Sequence, residues 1–156
     1  YEMSASLVGS EMCIRDRVFF TPDGWPVVSP ERYTGSVSRK FSAEDMAGEW
    51  EVIRIQEPAY ERRLQAGQIL WGEGQLKEEE WNVSHLLSLE KNGHLGENKG
   101  NWEFLEAKQL LSLTLEGEII NNLIIFAGHD WENEKETVLF TGLDSRGRSI
   151  WGKRIK

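Results

Sequence analysis

The sequence predicts an all-β chain whose short antiparallel strands close into a small barrel. Apolar and polar residues alternate along several segments, as in residues 111–115, where three leucines alternate with Ser112 and Thr114. That period of two is typical of a strand with one buried face. Gly and Asn residues punctuate these segments after residue 48. An up-and-down barrel is the simplest architecture for such strands, because closure leaves no exposed edge.

About nine strands follow from this pattern after residue 48. They are expected to cover residues 49–56, 68–76, 86–91, 94–97, 102–105, 110–115, 119–127, 137–141 and 149–155. Asn92 and Gly93 predict a tight hairpin between the third and fourth of these strands. A type I′ turn is expected there, with positive φ at both residues.

A short hairpin is predicted ahead of the barrel. Residues 18–21 are apolar and extended, the Pro-Asp-Gly turn at 22–24 follows, and residues 25–28 return beside the first strand. Pro26 and Pro30 lack a backbone donor, which places this piece at a sheet edge or between two domains.

A polar linker with one helical turn is predicted at residues 34–47. Ser42 and Asp45 have the spacing of a capping box, which favours a helix start at this point. Residues 48–156 would then form the barrel domain.

Composition excludes several classes of partner. The chain has 156 residues and a net charge of -8, which argues against nucleic acid or an anionic membrane as the main partner. Its longest apolar run, residues 123–127, has the length of a strand and not of a membrane span. Cys13 is the only cysteine, so no disulfide can form within the chain.

The first seventeen residues are expected to be foreign to the rest. Residues 1–17 follow neither a helical nor an alternating apolar period, and the character of the sequence changes at Val18. They resemble a translated sequencing adapter joined to a truncated gene. Such a segment should be disordered or should dock without specific contacts, and burial of Leu7, Val8 and Ile14 in a shared core would contradict this interpretation.

Three segments resemble one enzyme family. Residues 18–33 read VFFTPDGWPVVSPERY, residues 48–55 read GEWEVIRI, and residues 130–155 read DWENEKETVLFTGLDSRGRSIWGKRI. They are similar to the end of the catalytic propeller and to the accessory barrel of family 43 glycoside hydrolases, especially extracellular endo-1,5-α-L-arabinanases. The resemblance implies a lipocalin-like barrel, and Gly48 and Trp50 also have the G-x-W spacing of lipocalins.

The resemblance also limits the function. In this family the catalytic acids lie within the propeller, and none of their motifs occurs here, so no catalytic residue is carried over and the chain should be inactive alone. It implies a secreted arabinan-degrading enzyme, with residues 18–33 as the end of the catalytic domain and the propeller of the same chain as partner. Trp25, Pro26, Arg32 and Tyr33 would dock the two domains.

Seven tryptophans suggest a binding function. Flat aromatic rings stack on the apolar faces of sugars, although most tryptophans simply fill a core. Trp71, Trp102 and Trp131 are the candidates for contact with arabinan, which makes a stand-alone carbohydrate-binding module one alternative function. A lipocalin-like binder of a small apolar ligand is another, although seven tryptophans could fill so small a barrel.

Other polar residues are expected to be structural. A cation of the last strand, Arg154 or Lys153, would lie over the Trp50 indole and close the barrel, since first and last strands of a barrel are neighbours. The basic residues near the end of the sequence are expected to form a solvated strand face, namely Arg146, Arg148, Lys153, Arg154 and Lys156. No metal or cofactor is expected, because the three histidines lack a short ligand spacing.

Overall fold

A computed structural model of the chain describes residues 17–35, 38–55, 83–115 and 117–156. Eight antiparallel strands form a closed barrel, which confirms the predicted fold class. Ahead of the barrel lie β1 (Val18–Phe20), β2 (Pro26–Val28) and α1 (Ala43–Met46). The barrel strands are β3 (Gly48–Arg54), β4 (Ser84–Leu89), β5 (His94–Leu95), β6 (Gly100–Leu105), β7 (Leu110–Leu115), β8 (Glu118–Asp130), β9 (Lys135–Leu143) and β10 (Ser149–Arg154).

The barrel has the predicted up-and-down order. Each strand from β3 to β9 pairs with the next in sequence, and β10 pairs with β3 to close the ring. In that closing pair Trp50 lies opposite Arg154. The strand predicted at 110–115 has the observed bounds, whereas the strand predicted at 68–76 lies outside the described residues.

The hairpin between β4 and β5 forms where it was predicted, but its turn type differs. Gly93 has a φ of 84°, and Asn92 is not among the positive-φ residues, so the type I′ prediction is wrong. The Glu90 amide donates to the His94 carbonyl at 2.9 Å, which leaves a three-residue loop with glycine in the left-handed position. The strand predicted at 94–97 is shorter for a similar reason, because Glu97 has a φ of 58° and turns the chain.

Large apolar side chains fill the barrel interior. Trp50 and Phe140 are fully buried, with ring centroids 5.3 Å apart. The helical turn α1 forms as predicted, with the Ser42 amide donating to Asp45 Oδ2 at 2.8 Å. It places the buried Met46 against the core, and Trp50 Nε1 donates to the Met46 carbonyl at 2.8 Å. The helical turn is thereby attached to the barrel.

Gly152 is expected to be intolerant of any side chain. A Cβ built on it would lie 2.1 Å from Phe140 Cε1, so the ring would have to move within a packed core. We expect Gly152→Ala to lower the free energy of unfolding by about 1–3 kcal/mol, measured by urea denaturation. Adding Phe140→Leu should recover part of this loss, whereas strictly additive effects of the two substitutions would contradict the clash.

Candidate functional site

The outer face of β8, β9 and β10 is buried beneath the segment that precedes the barrel. Phe126 and Leu139 are opposite each other across β8 and β9, and Lys153 is opposite Leu139 on β10. Phe126 and Leu139 are 6% and 0% exposed, yet neither belongs to the interior core cluster. Residues 17–33, which we call the strap, cover this face.

Aromatic packing holds the first part of the strap. Phe19 stacks on Phe126 with ring centroids 4.5 Å apart. The Arg17 guanidinium lies 4.9 Å from the centre of the Phe126 ring and 4.8 Å from that of Tyr33, and it donates to the Ala127 carbonyl. Because Arg17 packs in this way, contacts of the strap begin one residue before Val18. Leu7, Val8 and Ile14 lie outside the described residues, so the origin of residues 1–16 stays a prediction.

A buried hydroxyl holds the second strand of the strap. Thr141 is fully buried on β9, and its Oγ1 donates to the Val28 carbonyl at 2.6 Å. The other edge of β2 pairs with β1. Thr141 therefore joins the hairpin directly to the barrel wall.

Loss of this hydroxyl is expected to loosen the strap. Thr141→Val keeps the shape of the side chain but leaves the Val28 carbonyl without its donor, which should cost about 1–3 kcal/mol of unfolding free energy. Faster hydrogen exchange at the Ser29 amide, which donates to the Arg17 carbonyl, would report the loosening. Thr114→Val on β7 is the matched control and should change stability by less than about 0.5 kcal/mol. Equal effects of the two substitutions would contradict this role of Thr141.

Lys153 lies at the centre of a cluster of carboxylates. Its Nζ is 2.8 Å from Glu132, 3.3 Å from Asp130, 3.4 Å from Glu31 of the strap and 3.8 Å from Glu51. Burial alone would lower the pKa of Lys153, but hydrogen bonds to Glu132 and Asp130 and the surrounding negative charge outweigh it and raise that pKa. The lysine is therefore charged at neutral pH and ties the strap to β8 and β10.

The prediction that Lys153 lies on a solvated strand face is wrong. The residue is 9% exposed, because the strap and the turn after β8 cover it. The alternation along β10 does place it on the outer face, as expected. Only the covering strap makes that face an interior.

Acid is expected to weaken the fold. The pKa values of Asp130 and Asp144 both lie below the ordinary 3.8. Burial would raise the pKa of Asp130, but hydrogen bonds from Asn133 and Lys153 outweigh this effect. Burial would likewise raise the pKa of Asp144, but hydrogen bonds from Arg148 and Arg146 outweigh it. A depressed folded-state pKa adds stability that is present above about pH 4 and lost as the pH falls through the folded-state value. Urea midpoints should therefore fall as the pH drops below about 4, and less steeply in Asp144→Asn. An unchanged slope in that variant would contradict the assignment.

A cation–aromatic contact holds the end of the strap. The Arg32 guanidinium lies 4.8 Å from the centre of the Trp131 ring, and His129 meets the same ring edge-on at 4.8 Å. Such a contact contributes about 0.5–2 kcal/mol. One face of this predicted sugar-binding tryptophan is thus occupied by the strap.

The hairpin of the strap turns an apolar face outward. Phe19 and Val27 are paired and face the barrel, whereas Val18, Phe20 and Val28 are 57%, 67% and 41% exposed. Pro26 is the partner of Phe20 on the same face. We call Val18, Phe20, Pro26 and Val28 the outer hairpin face. Nothing among the described residues covers it.

The remaining predicted site residues lie apart from one another. Trp71 is outside the described residues. Trp102 packs half-buried against the core, and its Nε1 donates to the Glu90 carbonyl at 2.8 Å. Arg154 is the cross-strand partner of Trp50, but its Nε donates to the Lys156 carbonyl at 3.2 Å. The strands of this pair close the ring, and the part played by the two side chains stays a prediction.

In the part of the chain that the structure describes, few side chains are arranged for metal binding or acid–base catalysis. No cluster of three or more His, Cys, Asp or Glu residues there is arranged to hold a metal ion. His129 and Asp130 are adjacent in sequence, as an acid–base or metal-binding pair could be, but His129 packs on the Trp131 ring and Asp130 pairs with the Lys153 ammonium. Within the same residues, no helix is long and apolar enough to cross a membrane.

Comparison with known proteins identifies the barrel. Residues 30–152 match the model of the GH43_C family, described as a C-terminal lipocalin-like domain. The chain is 26% identical over 140 residues to the extracellular endo-α-(1→5)-L-arabinanase 2 of Bacillus subtilis. It is 27% identical over 146 residues to the extracellular endo-α-(1→5)-L-arabinanase of Thermotoga petrophila. These matches cover 88% and 90% of this chain but 25% and 26% of the relatives.

Solved structures show the same fold. The family 43 glycoside hydrolase YxiA from Bacillus licheniformis has a TM-score of 0.66 at 22% identity, over 90% of this chain and 28% of that one. The endo-1,5-α-L-arabinanase of Thermotoga petrophila has a TM-score of 0.65 at 23% identity, with the same coverage. The chain thus spans about a quarter of the length of its relatives. By the match over residues 30–152, the chain belongs to the C-terminal lipocalin-like domain family of glycoside hydrolase family 43.

Proposed function

We propose that this chain is the C-terminal accessory domain of a secreted glycoside hydrolase that degrades arabinan. Two relatives are named extracellular endo-arabinanases, and in each the match covers about a quarter of the relative. The hydrolytic acids would lie in a propeller domain that precedes the strap in the same protein. The barrel would either stabilise that propeller or shape one wall of its substrate cleft.

The outer hairpin face is the observation that carries this proposal. A two-stranded hairpin is marginally stable in water, and here its barrel side is fixed while its other side exposes Val18, Phe20 and Val28. An exposed apolar patch of this kind is typical of a surface that meets another protein surface. The catalytic domain of the same protein is the natural occupant, because residues 18–33 resemble the end of that domain.

The predicted docking residues divide into two groups on this basis. Pro26 belongs to the outer hairpin face and would contact the propeller. Arg32 and Tyr33 contact Trp131 and Arg17 instead, so they would act indirectly, by holding the strap on the barrel. Trp25 lies at the hairpin turn, beyond the outer hairpin face, and is 64% exposed.

Resequencing the source DNA upstream across the junction between Arg17 and Val18 tests the proposal. An open reading frame that continues into a propeller with a signal peptide and placed catalytic acids is the expected result. A start codon just before Val18 would contradict it, and so would genomic coding of residues 1–17. As a direct assay, the 156-residue chain should release no reducing sugar from linear arabinan. Hydrolysis by the chain alone would contradict the assignment of the acids to a missing domain.

A carbohydrate-binding module is the second candidate, and the exposure of Trp25 favours it. Depletion of the chain from solution by insoluble arabinan would support binding. The apolar-ligand alternative lacks such support, since the fully buried Trp50 and Phe140 occupy the barrel interior.

A further inference from the structure

A groove runs between the hairpin turn of the strap and one end of the barrel. It encloses about 530 Å³, within the range of small-ligand sites. The Trp25 ring forms one side, and β8 and the turn between β9 and β10 form the other. Polar side chains from both sides reach it, namely Asp23, Asn121, Asn122 and Ser145.

Trp25 is the most exposed of the described tryptophans. It is 64% exposed, and both of its described hydrogen bonds are made by its backbone: its amide donates to Thr21 Oγ1 at 3.1 Å, and its carbonyl accepts from the Thr21 amide at 2.9 Å. Trp50 is buried in the core, Trp102 bonds to the Glu90 carbonyl, Trp131 is covered by Arg32, and Trp151 is half-buried on β10. Within the described ranges, Trp25 is therefore the tryptophan best placed to stack on a ligand.

An irregularity in β8 brings two adjacent asparagines to the same groove. Leu113 pairs with Ile120 and Leu111 with Leu123, so β8 carries one more residue than β7 over this stretch. Successive residues of a regular strand face opposite sides, whereas a bulge redirects a side chain. Asn122 has a φ of 62°, a conformation that asparagine tolerates better than most residues. Both Asn121 and Asn122 consequently line the groove.

The charges in the groove favour a neutral ligand. Asp23 and Asp144 line it, whereas none of its lining residues is a lysine or arginine, so an anion would be repelled. Asp144 is already bound by Arg148 at 2.7 Å. The amides of Asn121 and Asn122 make no hydrogen bond to any other described side chain, and an amide both donates and accepts, as a hydroxyl requires.

We propose that this groove binds a neutral saccharide. One sugar ring stacks on Trp25, and its hydroxyls hydrogen-bond to the amides of Asn121 and Asn122 and to the carboxylate of Asp23. An aromatic platform with a few fixed polar groups is the usual composition of such a site. The choice of arabinose as the sugar rests on the proposed function, whereas the site itself rests on the groove.

Titration of the 156-residue chain with linear 1,5-α-L-arabino-oligosaccharides tests the site, with indole N–H shifts and calorimetry as readouts. Trp25→Ala is expected to raise Kd by roughly tenfold or more, as for a binding hot spot. Asn121→Ala should raise it several-fold without touching the hairpin. Asn101→Ala, at an exposed asparagine on β6, is the matched control and should leave Kd unchanged.

The outcomes distinguish the proposed saccharide site from the proposed role in an arabinan-degrading enzyme. An unchanged Kd in Trp25→Ala and Asn121→Ala would overturn the proposal, as would failure to bind arabino-, xylo- and galacto-oligosaccharides alike. Binding of xylo- or galacto-oligosaccharides alone would support the groove and contradict the arabinan assignment. Trp25 was also predicted to contact the propeller, and a residue with only that role would leave the affinity of this chain for saccharides unchanged.

Discussion

Trp50→Ala is expected to destabilise the barrel more than any other single substitution considered, by about 4 kcal/mol. The indole is fully buried, packs on Phe140 and donates to the Met46 carbonyl at 2.8 Å. Truncation would open a cavity at the seam between β3 and β10 and would leave that carbonyl without a donor. Thermal and urea unfolding, followed by far-UV circular dichroism, measure the loss.

Two variants separate the contributions of Trp50. Trp50→Phe keeps a ring against Phe140 but loses the bond to Met46, so it should cost less than the alanine variant. Trp25→Ala removes an indole that is 64% exposed and should change stability by less than about 0.5 kcal/mol. A melting temperature of Trp50→Ala equal to that of Trp25→Ala would refute a structural role at the barrel seam.

The barrel could be predicted because the alternation of apolar and polar residues in its strands indicates which side chains are buried. In β7 the residues Leu111 and Leu113 are both 0% exposed and alternate with half-buried Ser112, as a period of two requires. The Gly and Asn residues between the strands then indicated short turns, which favour pairing between strands that are consecutive in sequence. The finer geometry of the β4–β5 hairpin could not be read in this way, since Asn-Gly also suits a three-residue loop with glycine last.

The site could not be predicted because it depends on one surface covering another. Nothing within β10 distinguishes the buried Lys153 from the half-buried Arg154 next to it. Lys153 becomes interior only when Glu31, 122 positions away, packs over it. A lysine that shares one face of the last strand with Trp151, together with acidic residues in the strap, is the weak signal that could have suggested this contact.

The tryptophans illustrate the same limit. Trp102, Trp131 and Trp25 lie in similarly polar segments, yet the first packs on the core and the second is covered by Arg32. Only Trp25 among these three keeps a free ring beside unoccupied amides. Composition suggested stacking on sugars, but the choice of ring required tertiary contacts.

Lys153→Met is expected to lower the free energy of unfolding by about 3 kcal/mol and to free the strap. Methionine has a similar length, so the main loss is the cation that neutralises Asp130, whose side chain is 0% exposed. Removing one partner leaves a buried charge uncompensated, which costs more than the net value of the pair. Urea denaturation gives the stability, and hydrogen exchange at the Ser29 amide reports whether the strap detaches.

A double variant separates this charge effect from packing. Asp130→Asn keeps an oxygen for the Glu132 and Asn133 amides but removes the negative charge. The double variant Lys153→Met with Asp130→Asn should therefore lose less unfolding free energy than the two single variants lose in sum. Lys108→Met is the control on an exposed lysine and should be nearly neutral. Additive losses would mean that Lys153 acts through its aliphatic stem alone. The strap would then be held by Thr141 and the aromatic contacts. A raised folded-state pKa of Lys153 adds stability that is lost only as the pH rises above 10.5, the ordinary pKa of lysine. If the charge of Lys153 contributes nothing, the attachment of the strap should therefore not weaken above that pH.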